Sequence, residues 1–121
     1  MYEELSVLIC DDSSLLRMQF KKTLQSIGCT NVYEAVNGEE AVEKYVKYKP
    51  DIVFMDIVMP VKTGLDALKE IIEYDSSAKV IMASSVGTSG NLKQALKNGA
   101  LDFIQKPWSQ SNIELVLSKL I

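Results

Sequence analysis

Five times along this 121-residue chain a short run of β-branched and apolar residues gives way to a longer stretch with helical periodicity, and no other feature constrains the fold as tightly. The strand-like runs are Ser6 to Cys10, Asn31 to Ala35, Ile52 to Met55, Val80 to Ala83 and Phe103 to Gln105. Leu16, Phe20, Leu24 and Ile27 mark a first helix, with Ser13 or Ser14 as N-cap and Gly28 as terminator. Ala41, Val42, Tyr45 and Val46 give the inward stripe of a second, opened by Asn37-Gly38 and closed by Lys49-Pro50. A loop from Met59-Pro60 to Gly64 precedes a third helix on Leu65, Leu68, Ile71 and Ile72. A loop through Gly87 and Gly90 leads to a short fourth around Leu92, Ala95 and Leu96, ended by Asn98-Gly99. Pro107 stops the fifth strand, and Ile113, Val116, Leu117 and Leu120 mark the last helix.

Strands that alternate with helices pair in parallel, and right-handed crossovers wind the helices onto both faces of the sheet. The first, third and fourth runs are almost unbroken apolar, as strands covered on both faces must be. The expected fold is α/β: a (βα)5 doubly wound parallel five-stranded sheet in the order 2-1-3-4-5, flavodoxin-like, forming one domain over residues 1–121. The length leaves no room for a second core. No apolar run reaches the roughly 18 residues of a membrane span, and the acidic start lacks the pattern of a secretory signal. A soluble, cytoplasmic protein that does not engage the membrane is therefore expected. Cys10 and Cys29, unclustered and without metal-ligand spacing, read as reduced packing thiols.

The chain has no histidine, which removes His-dependent triads, the usual general base and the commonest metal ligand. Any chemistry must run on Asp, Ser and Lys. Residues 1–75 carry 8 basic and 14 acidic side chains, and residues 76–121 carry 5 and 2. That separation can steer a protein partner, but it is too small to argue for direct nucleic-acid binding.

Doubly wound sheets bind their ligands beyond the C-terminal strand ends, where the strand order reverses. Asp11 and Asp12 follow the first strand, Asp56 the third, Ser84 the fourth and Lys106 the fifth. Singly, these read as a helix-start acidic pair, a loop residue, a strand-end hydroxyl and a solvated edge charge. Jointly, they make a pocket. Three carboxylates that close call for a proton or a cation among them, and hard oxygen ligands favour Mg²⁺, which takes one or two carboxylates together with phosphate. Lys106 and Ser84 can hold phosphate oxygens, and the Asp56 carboxylate can attack phosphorus.

These residues resemble the receiver domain of bacterial response regulators over essentially the whole chain. The resemblance rests on Asp11-Asp12, on Met55-Asp56-Ile57-Val58-Met59-Pro60 followed by Gly64, on Ser84-Ser85, and on Asp102-Phe103-Ile104-Gln105-Lys106-Pro107. It implies Asp56 as phosphoacceptor and Asp12, Asp56 and the Val58 backbone carbonyl as Mg²⁺ ligands, with Asp11 acting through water. It further implies Ser84 as switch hydroxyl, Phe103 as the aromatic that swings inward, and Lys106 as the phosphate-binding lysine, joined to Pro107 by a bond usually cis in the family. Three positions depart from the common pattern. Ser85 stands where Ala or Gly is frequent, so Ser84 and Ser85 compete for the phosphate, with spacing to Lys106 favouring Ser84. Lys62 replaces a hydrophobic residue, with no consequence legible in sequence, and Phe103 replaces Tyr.

The implied reaction carries a phosphoryl group from a phosphohistidine, on a histidine kinase or phosphotransfer protein, to Asp56. The phosphorylated domain then switches the binding of an output protein, with chemotaxis or flagellar-motor components as candidates. The expected output face is the fourth helix, fifth strand and fifth helix, with Lys93, Lys97 and Lys119. The domain is expected to assist its own phosphorylation and dephosphorylation without being an enzyme in the ordinary sense. Two rivals share the chemistry or the fold. A Mg²⁺-dependent aspartyl-phosphate phosphatase needs a second carboxylate where Val58 stands. A flavin-binding electron carrier needs a phosphate loop where Asp11-Asp12 would repel the ligand.

Overall fold

A computed structural model describes residues 2–84, 89–106 and 108–120. The elements run β1 (Ser6–Cys10), α1 (Ser14–Ser26), β2 (Asn31–Ala35), α2 (Gly38–Tyr48), β3 (Ile52–Asp56), α3 (Gly64–Tyr74), β4 (Val80–Ser84), α4 (Ser89–Lys97), β5 (Asp102–Gln105) and α5 (Gln110–Leu120). All pairings are parallel and the strand order is β2-β1-β3-β4-β5, so the expected architecture stands. Strands β3 and β4 each run one residue past the apolar pattern, to Asp56 and Ser84, and β5 begins one residue early at Asp102. The ladder continues through Asp56↔Ala83, Ser84↔Gln105 and Ile81↔Asp102 after the side chains have turned polar.

Successive strand residues point to opposite faces, so the sheet separates two apolar layers. Leu8, Cys10, Val53, Met55 and Met82 meet Ala41, Tyr45, Leu68 and Ile71 of α2 and α3. Val7, Ile9, Phe54 and Ile81 meet Phe20, Leu24, Ile113 and Leu117 of α1 and α5. Each such large side chain contributes about 1.5–3 kcal/mol through burial. Both cysteines are free and buried, as packing thiols are.

The helix caps follow from the sequence. The Ser13 hydroxyl accepts from Leu16 N at 3.2 Å and so, rather than Ser14, is the N-cap of α1. Asn37 caps α2 and Thr63 caps α3 in the same way. Val46 corrects the expected stripe of α2, being 41% exposed. The buried row there is Gly38, Ala41 and Tyr45, and Val46 lies about 100° round from Tyr45, on the rim. Leu96 is exposed for the same reason beside buried Ala95, while the Leu92 and Leu120 side chains fall outside the described residues. Among the described residues no helix is long and apolar enough to cross a membrane.

Val61, in the loop between β3 and α3, has φ of 68°, a left-handed conformation that a β-branched residue adopts only under strain. Its side chain is 81% exposed, so little packing is lost by replacing it. Val61→Gly is expected to raise unfolding free energy by about 1 kcal/mol, since glycine enters without steric cost the tight turn that Lys62 N closes on Pro60 O at 2.7 Å. Urea denaturation checks this, and an unchanged or lower midpoint would show that the loop holds Val61 without strain.

Candidate functional site

The ends of β1 and β3 bring Asp11, Asp12 and Asp56 together, with one carboxylate oxygen from each lying within 4.8 Å of the others. Asp11 and Asp56 are buried and Asp12 is exposed. Lys106, just past β5, reaches back over the sheet end, with Nζ 2.9 Å from Asp11 Oδ2 and 3.0 Å from Asp56 Oδ2. Four of the five side chains that sequence singled out at the strand ends are thus one cluster. Asp11 Oδ1 accepts from the Ser13 amide at 2.9 Å, which occupies its other oxygen.

Burial pushes the Asp56 carboxyl above its ordinary pKa, and Asp11 adds to this; the hydrogen bond from Lys106 and the Val58 amide pull the other way without cancelling it. Burial also opposes charge on Lys106, but its bonds to Asp11 and Asp56 outweigh that and hold its pKa above the usual lysine value. With every group ionised, three carboxylates and one ammonium leave two uncompensated negative charges. A small, hard divalent cation fits that charge and that all-oxygen donor set.

The loop after β3 is fastened around Asp56 by the backbone. Ile57 N donates to Ala83 O at 3.1 Å, and Gly64 N to Ile57 O at 2.9 Å. Gly64 is pressed so closely on the site that a Cβ there would lie 1.8 Å from the Asp56 carbonyl oxygen. Gly38 at the start of α2 donates to Lys62 O at 3.0 Å. The Lys62 ammonium pairs with Glu39 of α2 at 3.4 Å and with Glu70 of α3. Lys62, without a role in the sequence reading, is therefore a staple between the loop and two helices. Val58 stands in this loop, 67% exposed, beside the carboxylate its amide bonds.

The hydroxyl of Ser84 falls outside the described residues, as do Ser85, Val86 and Pro107, including the Lys106–Pro107 bond. Phe103 lies with its ring exposed, in a groove of about 580 Å³ that runs past Gln105, Leu115 and Lys119 to Lys106. Lys93, Lys97 and Lys119 are all exposed, and Lys119 also stands 3.7 Å from Asp102. Trp108 packs edge-on to Phe20 with its ring 5.6 Å from Lys106 Nζ.

Sequence reasoning missed Arg17. Its Nη1 donates to the Asp11 carbonyl oxygen at 2.7 Å and its Nε to Glu34 Oε1 of β2 at 3.1 Å. The legible signal was a cation one turn from the N-terminus of α1, where the helix dipole disfavours positive charge, in a helix with no acid in its first turn.

Residues 7–118 match the family described as response regulator receiver domain. The chain is 46% identical over 114 residues to the chemotaxis protein CheY of Thermotoga maritima, covering 94% of this chain and 95% of that one. It is 42% identical over 115 residues to CheY of Bacillus subtilis, covering 95% and 96%. In structure it is similar to CheY in the CheX-CheY-BeF3-Mg²⁺ complex from Borrelia burgdorferi, with a TM-score of 0.90 and 38% identity over 97% of this chain and 90% of that one. The phosphatase and flavin-carrier alternatives find no support in these matches. With the motifs, the strand order and the acidic strand ends all in agreement, the chain belongs to the response regulator receiver family.

Proposed function

We propose that Asp56 accepts a phosphoryl group from a phosphohistidine and that the domain then binds an output protein of a chemotaxis system. One observation carries this reading: a single ammonium, Lys106, bridges Asp11 and Asp56 at 2.9 and 3.0 Å inside a cluster of three carboxylates. A carboxylate oxygen of Asp56 forms the new bond to phosphorus as the P–N bond breaks, and the imidazole of the donor keeps the electron pair. The donor must be a partner, a histidine kinase or phosphotransfer protein, because this chain has no histidine. Asp12, Asp56 and the Val58 carbonyl would hold Mg²⁺, with Asp11 acting through water. When bound, the ion neutralises charge on the phosphoryl oxygens. Similarity to CheY proteins and to the CheX-bound form supports a chemotaxis partner.

Phosphorylation adds about −1.5 to −2 charges and three acceptor oxygens. Lys106 follows those oxygens, Ser84 supplies a hydroxyl, and Phe103 leaves its exposed position, reshaping the groove beside β5 and α5. Incubation with acetyl phosphate and Mg²⁺ tests the reaction. The expected result is one alkali-labile phosphoryl group per chain, mapped to Asp56 after borohydride trapping; no uptake, or uptake elsewhere, would overturn the reading. Lys106→Ala is expected to take up the group yet bind no output partner on phosphorylation, because the lysine couples phosphate to β5 rather than performing the attack. Phosphorylation-dependent capture of CheX or a flagellar switch protein by that mutant would refute the role.

The lifetime of the phosphorylated form depends on water reaching phosphorus. Val58 and Val86 lie two residues past the phosphoacceptor and the switch hydroxyl, and neither offers a hydrogen bond to orient water. Val58→Asn combined with Val86→Glu is expected to hydrolyse about tenfold faster than the parent, equivalent to ~1.4 kcal/mol in the barrier. The decay of phosphate on Asp56 measures it, and equal rates would remove both valines from the mechanism.

A further inference from the structure

We infer that Arg17 is a positioning residue for the acidic pocket, holding the Asp11–Asp12 peptide and through it the Asp12 carboxylate in place for a divalent cation. The inference rests on the proposed function, in which Asp12 is a metal ligand. Asp11 is fixed at every polar atom. Its amide donates to Ala35 O at 3.1 Å, its carbonyl accepts from Arg17 at 2.7 Å, and its carboxylate accepts from the Ser13 amide and from Lys106 at 2.9 Å each. Asp12 is the opposite case. It is exposed, and its carboxylate has no hydrogen-bonding partner among the described residues, so its place is set by the peptide that precedes it. The oxygen end of that peptide is held by Arg17.

The anchor itself does not move freely. The Arg17 side chain is 14% exposed, and its Nε bonds Glu34 Oε1 at 3.1 Å while Lys21 stands 3.8 Å from Glu34 Oε2. The Lys44 ammonium of α2 bonds the Glu34 backbone carbonyl, so the main chain of Glu34 is held from α2 while both partners of its carboxylate come from α1. A planar guanidinium spans the two acceptors with fixed geometry, which an ammonium cannot do. Simple electrostatics predicts the reverse outcome. A cation near the pocket repels a second cation, so on charge alone removing Arg17 would tighten metal binding.

Titration calorimetry with Mg²⁺ at constant ionic strength separates the two. Arg17→Ala is expected to weaken Mg²⁺ binding about tenfold, the lower end of the range seen when partners of metal ligands are removed, and the milder Arg17→Lys and Glu34→Gln by about threefold. Lys21→Ala should leave affinity unchanged, since Arg17 still holds Glu34. At saturating Mg²⁺, labelling of Arg17→Ala by acetyl phosphate should return to the parent rate, because the defect lies in placing a ligand and not in the attack. Affinity of Arg17→Ala within about twofold of the parent, or tighter, overturns the inference. If circular dichroism shows that variant to be unfolded, Arg17→Lys and Glu34→Gln decide, and parent-like affinity in both overturns it. A parent that binds no Mg²⁺ would defeat the proposed function itself, a result distinct from any of these.

Discussion

Asp56→Ala is expected to take up no covalent phosphoryl group from acetyl phosphate and Mg²⁺, because in the proposed reaction the carboxylate it loses is the nucleophile. The neighbouring carboxylates are poor substitutes. Both oxygens of Asp11 are occupied, one by the Ser13 amide and one by Lys106, and Asp12 is exposed at the edge of the cluster. The mutant should nevertheless fold. Removing one of three clustered carboxylates relieves like-charge repulsion and the burial of an ionised group, while Lys106 keeps its bond to Asp11. Its melting temperature should be no lower than the parent's, so loss of labelling reports on chemistry and not on unfolding. Full labelling of Asp56→Ala would sink the assignment, and slow labelling mapped to Asp12 would move the nucleophile.

Gly64→Ala should damage both stability and chemistry. The added Cβ would lie 1.8 Å from the Asp56 carbonyl oxygen, 2.8 Å from its carbon and 3.0 Å from Ile57 Cα. All three are backbone atoms, so relief requires moving either the end of β3 or the start of α3. Overpacking of this severity costs about 3 kcal/mol or more, at the upper end of single substitutions. Gly28→Ala serves as an internal control. Its φ of 96° also disfavours alanine, but the nearest atom to its Cβ is a Glu3 side-chain oxygen at 3.9 Å, so only backbone strain of about 1–2 kcal/mol applies. Urea denaturation of the two mutants measures the difference. A Gly64→Ala protein as stable as Gly28→Ala would show that the loop yields easily.

The fold was legible because parallel strands buried on both faces read as apolar runs, and because Gly28, Asn37-Gly38 and Asn98-Gly99 punctuate the helices. What escaped was decided by contacts distant in sequence. The ladder beyond Met55 and Ala83 is a backbone property, so the polar side chains of Asp56 and Ser84 hid the last residue of β3 and β4. Val46 was misplaced because apolar identity says nothing about which row of a short helix faces the sheet; Tyr45, bonded to Asp75 at 2.7 Å, fixes that row. Asp11, Asp12, Asp56 and Lys106 converge because the topology leaves their strand ends together, which strand order alone predicts. Lys62 carries no such mark, and the early cation of α1 marks Arg17 without revealing what it holds. Their partners Glu39, Glu70 and Glu34 lie on other elements, and surface lysines, arginines and glutamates are too common for pairing to be read from spacing.

The placement of Trp108 gives the protein a built-in optical division. It is the chain's single tryptophan, set on the α1 and α5 side against Phe20 and within 5.6 Å of the Lys106 ammonium. Four of the five tyrosines gather on the other side, Tyr33 stacked on Tyr48 and Tyr45 edge-on to Tyr74. Excitation selective for tryptophan therefore illuminates the lysine arm of the pocket, and four of the five tyrosine signals come from the opposite layer. Movement of Lys106 and loosening of α2 against the sheet become separately visible in one unlabelled sample.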